Sequence, residues 1–389
     1  MSDTKLQTTP LVVAFGLLVA LIWAAAEIGS GRIASGAAIG AFAGIALYHA
    51  KFGFTAAWRR MVLERRGAGL RAQMILIGLS VCISFPLFVY GADVGFRTGG
   101  FVFPFGIAAA FGAFMFGLGM QFGGGCASGT LFTVGGGSTR MVITLAAFVA
   151  GSVIATAHLP EWQALPSLKA YSMVRQLGLG PALLLTLGLL GTIALLTIVF
   201  EKRSHGTLQS FGKTESFLKG PWSMLAGALA LVIVVVATLL VLGRPWGITS
   251  AFALWGAKVF SVAGIEVETW PYWQNQVGRL NRSLLTDSTS VMNFGIILGA
   301  LIAASLSGRF APVAKIPPKE IATAIFGGLL MGYGARLAYG CNIGAYLGGL
   351  VSGSLHGWGW LVFGFIGSTV GSHLKALVDS WPGRSRQAV

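Results

Sequence analysis

This sequence predicts an all-α, polytopic membrane protein, and three observations carry that expectation. Charged residues make up 10% of its 389 positions, where an ordinary soluble chain carries about 25%. Hydrophobic residues make up 55% and gather into runs long enough to cross a bilayer. Glycine fills 57 positions, which suits helices packed closely together. These features exclude a soluble enzyme, a disordered tail, a disulfide scaffold and a nucleic-acid binder. The net charge of +15 has no exposed domain on which to form a basic patch for DNA.

A membrane-crossing helix needs ~20 mostly apolar residues, and suitable runs follow one another along the chain. The first is Pro10–Ile28. Ala24 and Ala26 give it the look of a signal-cleavage pattern. The run is long for a signal peptide, however, and its lead, with Asp3 and Lys5, is not clearly basic, so it reads as a true span. Ile33–His49 carries Gly36, Gly40 and Gly44 at the four-residue spacing of a close-packing face. Arg71–Tyr90, Pro104–Gly123, Val142–His158 and Pro181–Phe200 follow. Trp222–Leu242 comes next, then a shorter apolar stretch, Ile248–Val262, and then Val291–Leu306, which Asp287 is placed to cap. Ile321–Tyr339 and Trp358–Val378 complete the series, with small-residue pairs at Gly328/Gly332 and Gly367/Gly371. Trp246, Trp255, Trp270, Trp273, Trp358 and Trp360 fit an aromatic belt, and His356 fits an interfacial position.

Lysine and arginine set the threading. Lys51, Arg59, Arg60, Arg65, Arg66 and Arg71 gather in one region, and Lys202, Arg203, Lys213 and Lys219 in a second. Arg309, Lys315 and Lys319 form a third, and Arg384 and Arg386 lie at the end. One threading puts all four on the cytoplasmic side, C-terminus included. The loops between are nearly balanced, as in Asp93 with Arg97 and Glu161 with Lys169. Residues 201–220 read as a cytoplasmic linker between an N-terminal membrane half, 1–200, and a C-terminal half, 221–389. Gly212-Lys213-Thr214 within the linker invites a phosphate-loop reading. That motif needs a glycine where Thr207 stands, so the match fails.

Four short segments interrupt the apolar runs. They are Phe52-Gly53-Phe54-Thr55, Gly125-Cys126-Ala127-Ser128-Gly129, Trp246-Gly247-Ile248-Thr249 and Gly340-Cys341-Asn342-Ile343-Gly344. In each, a helix stops at a small or sulfur residue, and small, hydroxyl or amide residues open a shorter one. Such a break at membrane depth is tolerated only where the freed backbone groups face protein or a cavity. Paired breaks in two halves of a chain point to a transport site.

The three cysteines sit in apolar stretches and argue against a disulfide framework. Cys82 reads as a small hydrophobe. Cys126 and Cys341 each end one helix and precede another, so each thiol lies near the positive end of a helix dipole, a field that favours an anion. Two such half-helices converging across a pseudo-twofold would offer backbone N–H groups in place of stripped water. Their thiols would add weak donors for a soft, sulfur-bearing anion, and weak, multiple contacts suit conduction. No histidine or carboxylate pair accompanies them, so neither a metal site nor a cofactor is expected. Arg336, five residues before Cys341, is an intramembrane charge and by default a functional one. Arg244 and Lys258 read as snorkelling to an interface.

At these residues the sequence resembles the YeeE/YedE family of membrane proteins, which includes thiosulfate-uptake transporters. The resemblance rests on Gly119 through Leu131 around Cys126 and on Gly334 through Gly344 around Cys341. Gly243-Arg244-Pro245-Trp246-Gly247, Trp255-Gly256-Ala257-Lys258 and Ser354-Leu355-His356-Gly357-Trp358 add to it. It implies an hourglass of two pseudo-symmetric inverted halves, with broken or re-entrant helices meeting at the midplane. It also implies passage of thiosulfate along cysteines by transient S–H···S contacts, without alternating access. Cys126 and Cys341 match the two cysteines of the central constriction. The third relay cysteine of the thiosulfate members falls at Gly53, so that sulfur is missing, and Cys82 lies on the next helix.

The expectation is therefore a transporter or channel of the bacterial inner membrane, not an enzyme. It would carry a small sulfur-containing anion, with thiosulfate first among the choices. Cys126 and Cys341 would gate it, and Gly125, Ala127, Ser128, Gly340, Asn342, Ile343 and Arg336 would contact the anion. Gly53, Cys82 and Gly247 are accessory positions. The alternatives are another sulfur or selenium species and a membrane thiol or sulfurtransferase protein. The resemblance also allows a small cytoplasmic sulfur-carrier protein as partner.

Overall fold

The computed structural model describes residues 6–380, which are predominantly helical. Asp3, Lys5, Arg384 and Arg386 lie outside the described residues. In chain order the helices begin with α1 (Thr8–Ile28), α2 (Gly31–Ala50), α3 (Phe54–Glu64), α4 (Ala68–Tyr90), α5 (Ile107–Gly123) and α6 (Ala127–Gly135). Next come α7 (Thr139–Gln163), α8 (Met173–Leu177), α9 (Leu179–His205), α10 (Met224–Leu242), α11 (Thr249–Val262), α12 (Pro271–Gln274) and α13 (Val277–Asn281). The last are α14 (Ser288–Leu306), α15 (Pro318–Leu337), a π-helical turn Asn342–Leu347 running into α16 (Gly348–Val351), and α17 (Leu355–Ser380). A two-stranded ladder pairs β1 (Phe105–Gly106) antiparallel with β2 (Ser167–Leu168).

Among the described residues, ten stretches built from these helices are long and apolar enough to cross a membrane, and each falls on a run read from the sequence. The chain is a multi-pass membrane protein. Polar side chains start several of the spans. Ser30 accepts from the N–H of Ile33 ahead of α2, Ser223 from Ala226 ahead of α10, and Asp287 from Ser290 ahead of α14. The cap expected at Asp287 is in place.

The closest helix pairs are α2 with α14, α7 with α15, and α5 with both α15 and α17. At α2 and α14 the backbones touch from both sides. A Cβ on Gly44 would lie 2.1 Å from the Ile296 carbonyl oxygen, and one on Gly299 would lie 1.9 Å from that of Ala41. The pairings also recur along the chain. As α7 lies on α15, so α17 lies on α5. As α2 lies on α14, so α10 lies on α4, and as α11 lies on α7, so α3 lies on α17.

One continuous apolar core runs through these contacts and takes in both Cys126 and Cys341. Two of the tryptophans expected in a belt, Trp246 and Trp360, lie inside it instead, and Trp360 stacks on Tyr346 with ring planes 9° apart. Trp273 is buried in a second, smaller cluster with Val153, Leu254 and Val267. His356, expected at an interface, is also buried, with its ring nitrogen 2.7 Å from the Ser354 hydroxyl. The cause is shared: the chain around the breaks folds back toward the middle of the bundle and carries these aromatic rings inward.

The segment read as a linker, 201–220, is tied down at its start. Glu201, buried at the end of α9, meets Arg71 at 2.7 Å and Arg66 at 3.3 Å. It also accepts the backbone N–H groups of Gly67 and Gln209. Farther on, the N–H of Trp222 donates to the His49 carbonyl at 2.9 Å.

Candidate functional site

The four interruptions meet inside the bundle. The sulfur of Cys126 is faced by the backbone N–H groups of Ser128 and Gly129 and, from the first break, by that of Phe54. The ring of Phe54 stands edge-on to Tyr346, in the π-turn after Cys341, with centroids 5.8 Å apart. A Cβ on Gly344, in the same turn, would lie 3.8 Å from the Cα of Gly247 in the third break. The Cys341 sulfur is faced by the N–H groups of Ile343 and Gly344 and lies within electrostatic range of Cys126. Each break therefore touches another.

Both cysteines hold the extended backbone of an N-cap, with φ/ψ of −77/−171 at Cys126 and −101/−168 at Cys341. Their carbonyls accept the first bonds of the new helical stretches, from Thr130 and Ala345, each at 2.8 Å. The turn into Cys341 needs glycine. Gly340 has φ of +152, and a Cβ there would lie 2.9 Å from the backbone nitrogen of Ala345. The Cys126 sulfur lies 3.4 Å from the Ser128 hydroxyl. Asn342, next to Cys341, is fully buried, with neither its amide nitrogen nor its oxygen hydrogen-bonded. The Tyr346 hydroxyl is also buried and unpaired. Each such group costs about 1–3 kcal/mol of stability and asks for an explanation.

Two cavities flank this convergence. One, of roughly 530 Å³, is bordered by Tyr48, His49, Lys51, Gly53, Gly125, Cys126, Ser138 and Arg309 among others. The second, of roughly 420 Å³, is bordered by Leu159, Gln163, Arg244, Gly247, Tyr272, Arg279, Asp287, Arg336, Gly340 and Gly344 among others. The unbroken α7 shows that they open at opposite ends of the bundle. Ser138 precedes its first turn and Gln163 ends it, a separation of roughly 35–40 Å at the helical rise.

The second cavity is rich in guanidinium groups. Arg279 pairs with Asp287 at 2.9 Å. Arg244 donates to the Ser288 and Thr289 hydroxyls, each at 2.8 Å. Arg336 donates to the Tyr272 hydroxyl at 2.8 Å, and its charge also lies over that ring, 5.9 Å from the centroid. Burial pushes the Tyr272 phenol up. Arg336, Gln276 and Arg279 together outweigh burial and hold it below the usual tyrosine range.

The residues expected from the sequence divide accordingly. Gly125 and Cys126 border the first cavity, and Arg336, Gly247 and Gly340 the second. Ala127, Ser128, Cys341, Asn342 and Ile343 are buried. Gly53 borders the first cavity, and a Cβ there would meet only the Lys51 carbonyl oxygen, at 4.0 Å. Cys82 is not brought to the site: it lies on an exposed face of α4 and borders neither cavity. Arg244 does not snorkel to an interface but lines the second cavity. Lys258 donates to the carbonyls of Leu280 and Arg282, so it caps the α13 turn. Sequence reasoning missed Tyr272, Arg279 and Tyr339, which stacks on Phe103 with planes 7° apart. In the sequence Arg279 and Arg282 are offset by Glu266 and Glu268, which reads as a balanced outer loop. That loop folds inward as α12 and α13, and the dense aromatic run Trp270-Pro271-Tyr272-Trp273 is the one local signal of it.

A family model described as sulphur transport matches residues 49–370. The chain is 27% identical to the thiosulfate transporter TsuA of Spirochaeta thermophila, over 86% of this chain and 96% of that one. It is 26% identical to TsuA of Escherichia coli, over 88% of this chain and 94% of that one. It is 31% identical to the probable transporter YedE of Escherichia coli over 40% of this chain, a match that spans 38% of that relative's length.

Proposed function

The chain belongs to the sulphur-transport family, and from that premise we propose that it carries thiosulfate across a bacterial inner membrane through the gap between Cys126 and Cys341. The observation that carries this reading is the convergence of two cysteine-capped chain breaks in one core, between cavities that open at opposite ends of the bundle. Backbone N–H groups beside each sulfur replace water around the anion. The thiols, weak donors, hold its terminal sulfur briefly and let it go. Gly125, Ala127, Ser128, Gly340, Asn342 and Ile343 form the walls of this passage. The two relatives named for thiosulfate align over most of their length, which favours thiosulfate over other sulfur or selenium species.

The same reading makes the chain two inverted halves of an hourglass. It is supported by the recurring helix pairings, which match α2 through α7 with α10 through α17. The basic loops around Lys51, Lys213 and Arg309 then face the cytoplasm, with the first cavity.

The test is uptake of labelled thiosulfate by cells lacking other sulfur-uptake systems. Wild-type protein should support it. Cys126→Ala and Cys341→Ala should each reduce it at least about tenfold at equal protein level. Wild-type uptake in both variants would remove the thiols from the mechanism.

A further inference from the structure

We infer that the cavity beside Gly247 and Gly340 is a capture site for divalent oxoanions, in which Arg244 and Arg336 select charge before the thiols select sulfur. The inference rests on the transport reading above and adds a second stage of selection to it.

The charges around the cavity do not cancel. Its lining includes Arg244, Arg279 and Arg336 and a single carboxylate, Asp287. That carboxylate is committed on both oxygens. One takes Arg279 at 2.9 Å, and the other caps α14 through the N–H of Ser290 at 2.8 Å. The partners of Arg244 and Arg336 are neutral hydroxyls. Among the described residues neither has a carboxylate within ion-pair reach. The Nε of Arg336 is buried without any partner.

Uncompensated cations drawn into a protein cavity are costly and call for an anionic ligand. Two unpaired positive charges match an anion of charge two. They also stand on different walls. The Arg244 guanidinium lies 3.6 Å from where a Cβ on Gly247 would begin. Arg336 is on the last turn of α15, just before Gly340. An anion held by both would rest directly over the convergence of the breaks. Planar guanidinium forks suit oxoanion edges. No thiol borders this cavity, so sulfate should enter it as readily as thiosulfate and be turned back at the sulfur-lined gap.

Calorimetric titration of the purified protein at fixed ionic strength, with thiosulfate, sulfate and thiocyanate, tests this. The wild type should bind both dianions with similar affinity and the monovalent thiocyanate roughly tenfold more weakly or less. Arg244→Gln and Arg336→Gln should each weaken both dianions by roughly tenfold or more. Arg336→Lys should recover most of the loss, and Cys82→Ala, whose side chain borders neither cavity, should bind as wild type. Sulfate binding no tighter than thiocyanate would overturn the inference. So would dianion binding unchanged in both glutamine variants. Thermal melting of each variant separates loss of the site from loss of the fold. Thiosulfate flux into vesicles keeps the two proposals apart. Intact dianion binding without flux sinks the transport reading alone, and flux with binding indifferent to both arginines sinks the capture site alone.

Discussion

Asn342 combines full burial with an amide that has no partner at either end. Leucine there would remove the desolvation penalty and leave the packing nearly intact. Asn342→Leu is therefore expected to melt at the same temperature or higher, with a gain of up to ~1–3 kcal/mol, while thiosulfate uptake falls at least about tenfold. Lower stability with full uptake would make Asn342 an ordinary core residue. Tyr272 supplies a pH dependence. Its phenol is held below the usual tyrosine range, so as pH rises a phenolate forms early and adds negative charge among Arg336, Arg279, Arg244 and Asp287. Dianion affinity should decline on the alkaline side in the wild type and stay flat over that range in Tyr272→Phe. At Gly53 the space is open, and Gly53→Cys should fold as wild type and react with a polar thiol reagent added from the first cavity's side. The chain breaks at Cys126 and Cys341 were legible in the sequence because each interrupts an apolar run beside glycine. Tyr272 was not, because its place depends on an outer loop folding inward, and composition does not report that.

Glycine spacing identified the helices that pack closely but not which glycines bear the contact. Gly36, Gly40 and Gly44 look equivalent in sequence. A Cβ on Gly36 would meet Leu242 at an ordinary 3.7 Å, whereas one on Gly40 or Gly44 would lie 2.1 Å from a carbonyl oxygen of α14. Gly36→Ala should leave the melting temperature unchanged. Gly44→Ala should lower stability by about 3 kcal/mol or more, because the obstacle is backbone and cannot rotate away. The ten spans were readable because hydropathy reports length and apolarity directly. The tryptophans misled for the same reason: Trp246 and Trp360 have the residue type of a membrane interface, and only the inward turn of the chain beside them puts them in the core.

Residues 201–220 read from the sequence as a cytoplasmic linker, but Glu201 at its start belongs to α9. Glu201 holds Arg66 and Arg71 and two backbone N–H groups at the mouth of α4. Glu201→Gln leaves Arg71 buried without a counter-charge and should cost ~3–5 kcal/mol of stability, with dianion binding in the distant second cavity unaltered. A single sequence cannot pair Glu201 with Arg71, since their meeting is a property of how α9 lies on α4. Carbonyl-to-glycine contact along α2 and α14 has a mechanical consequence. Helices meshed this tightly resist sliding, much as gear teeth do, so on the proposed thiosulfate path this pair is expected to stay fixed while cargo passes. A covalent clamp joining α2 to α14 should leave the throughput of the protein unchanged.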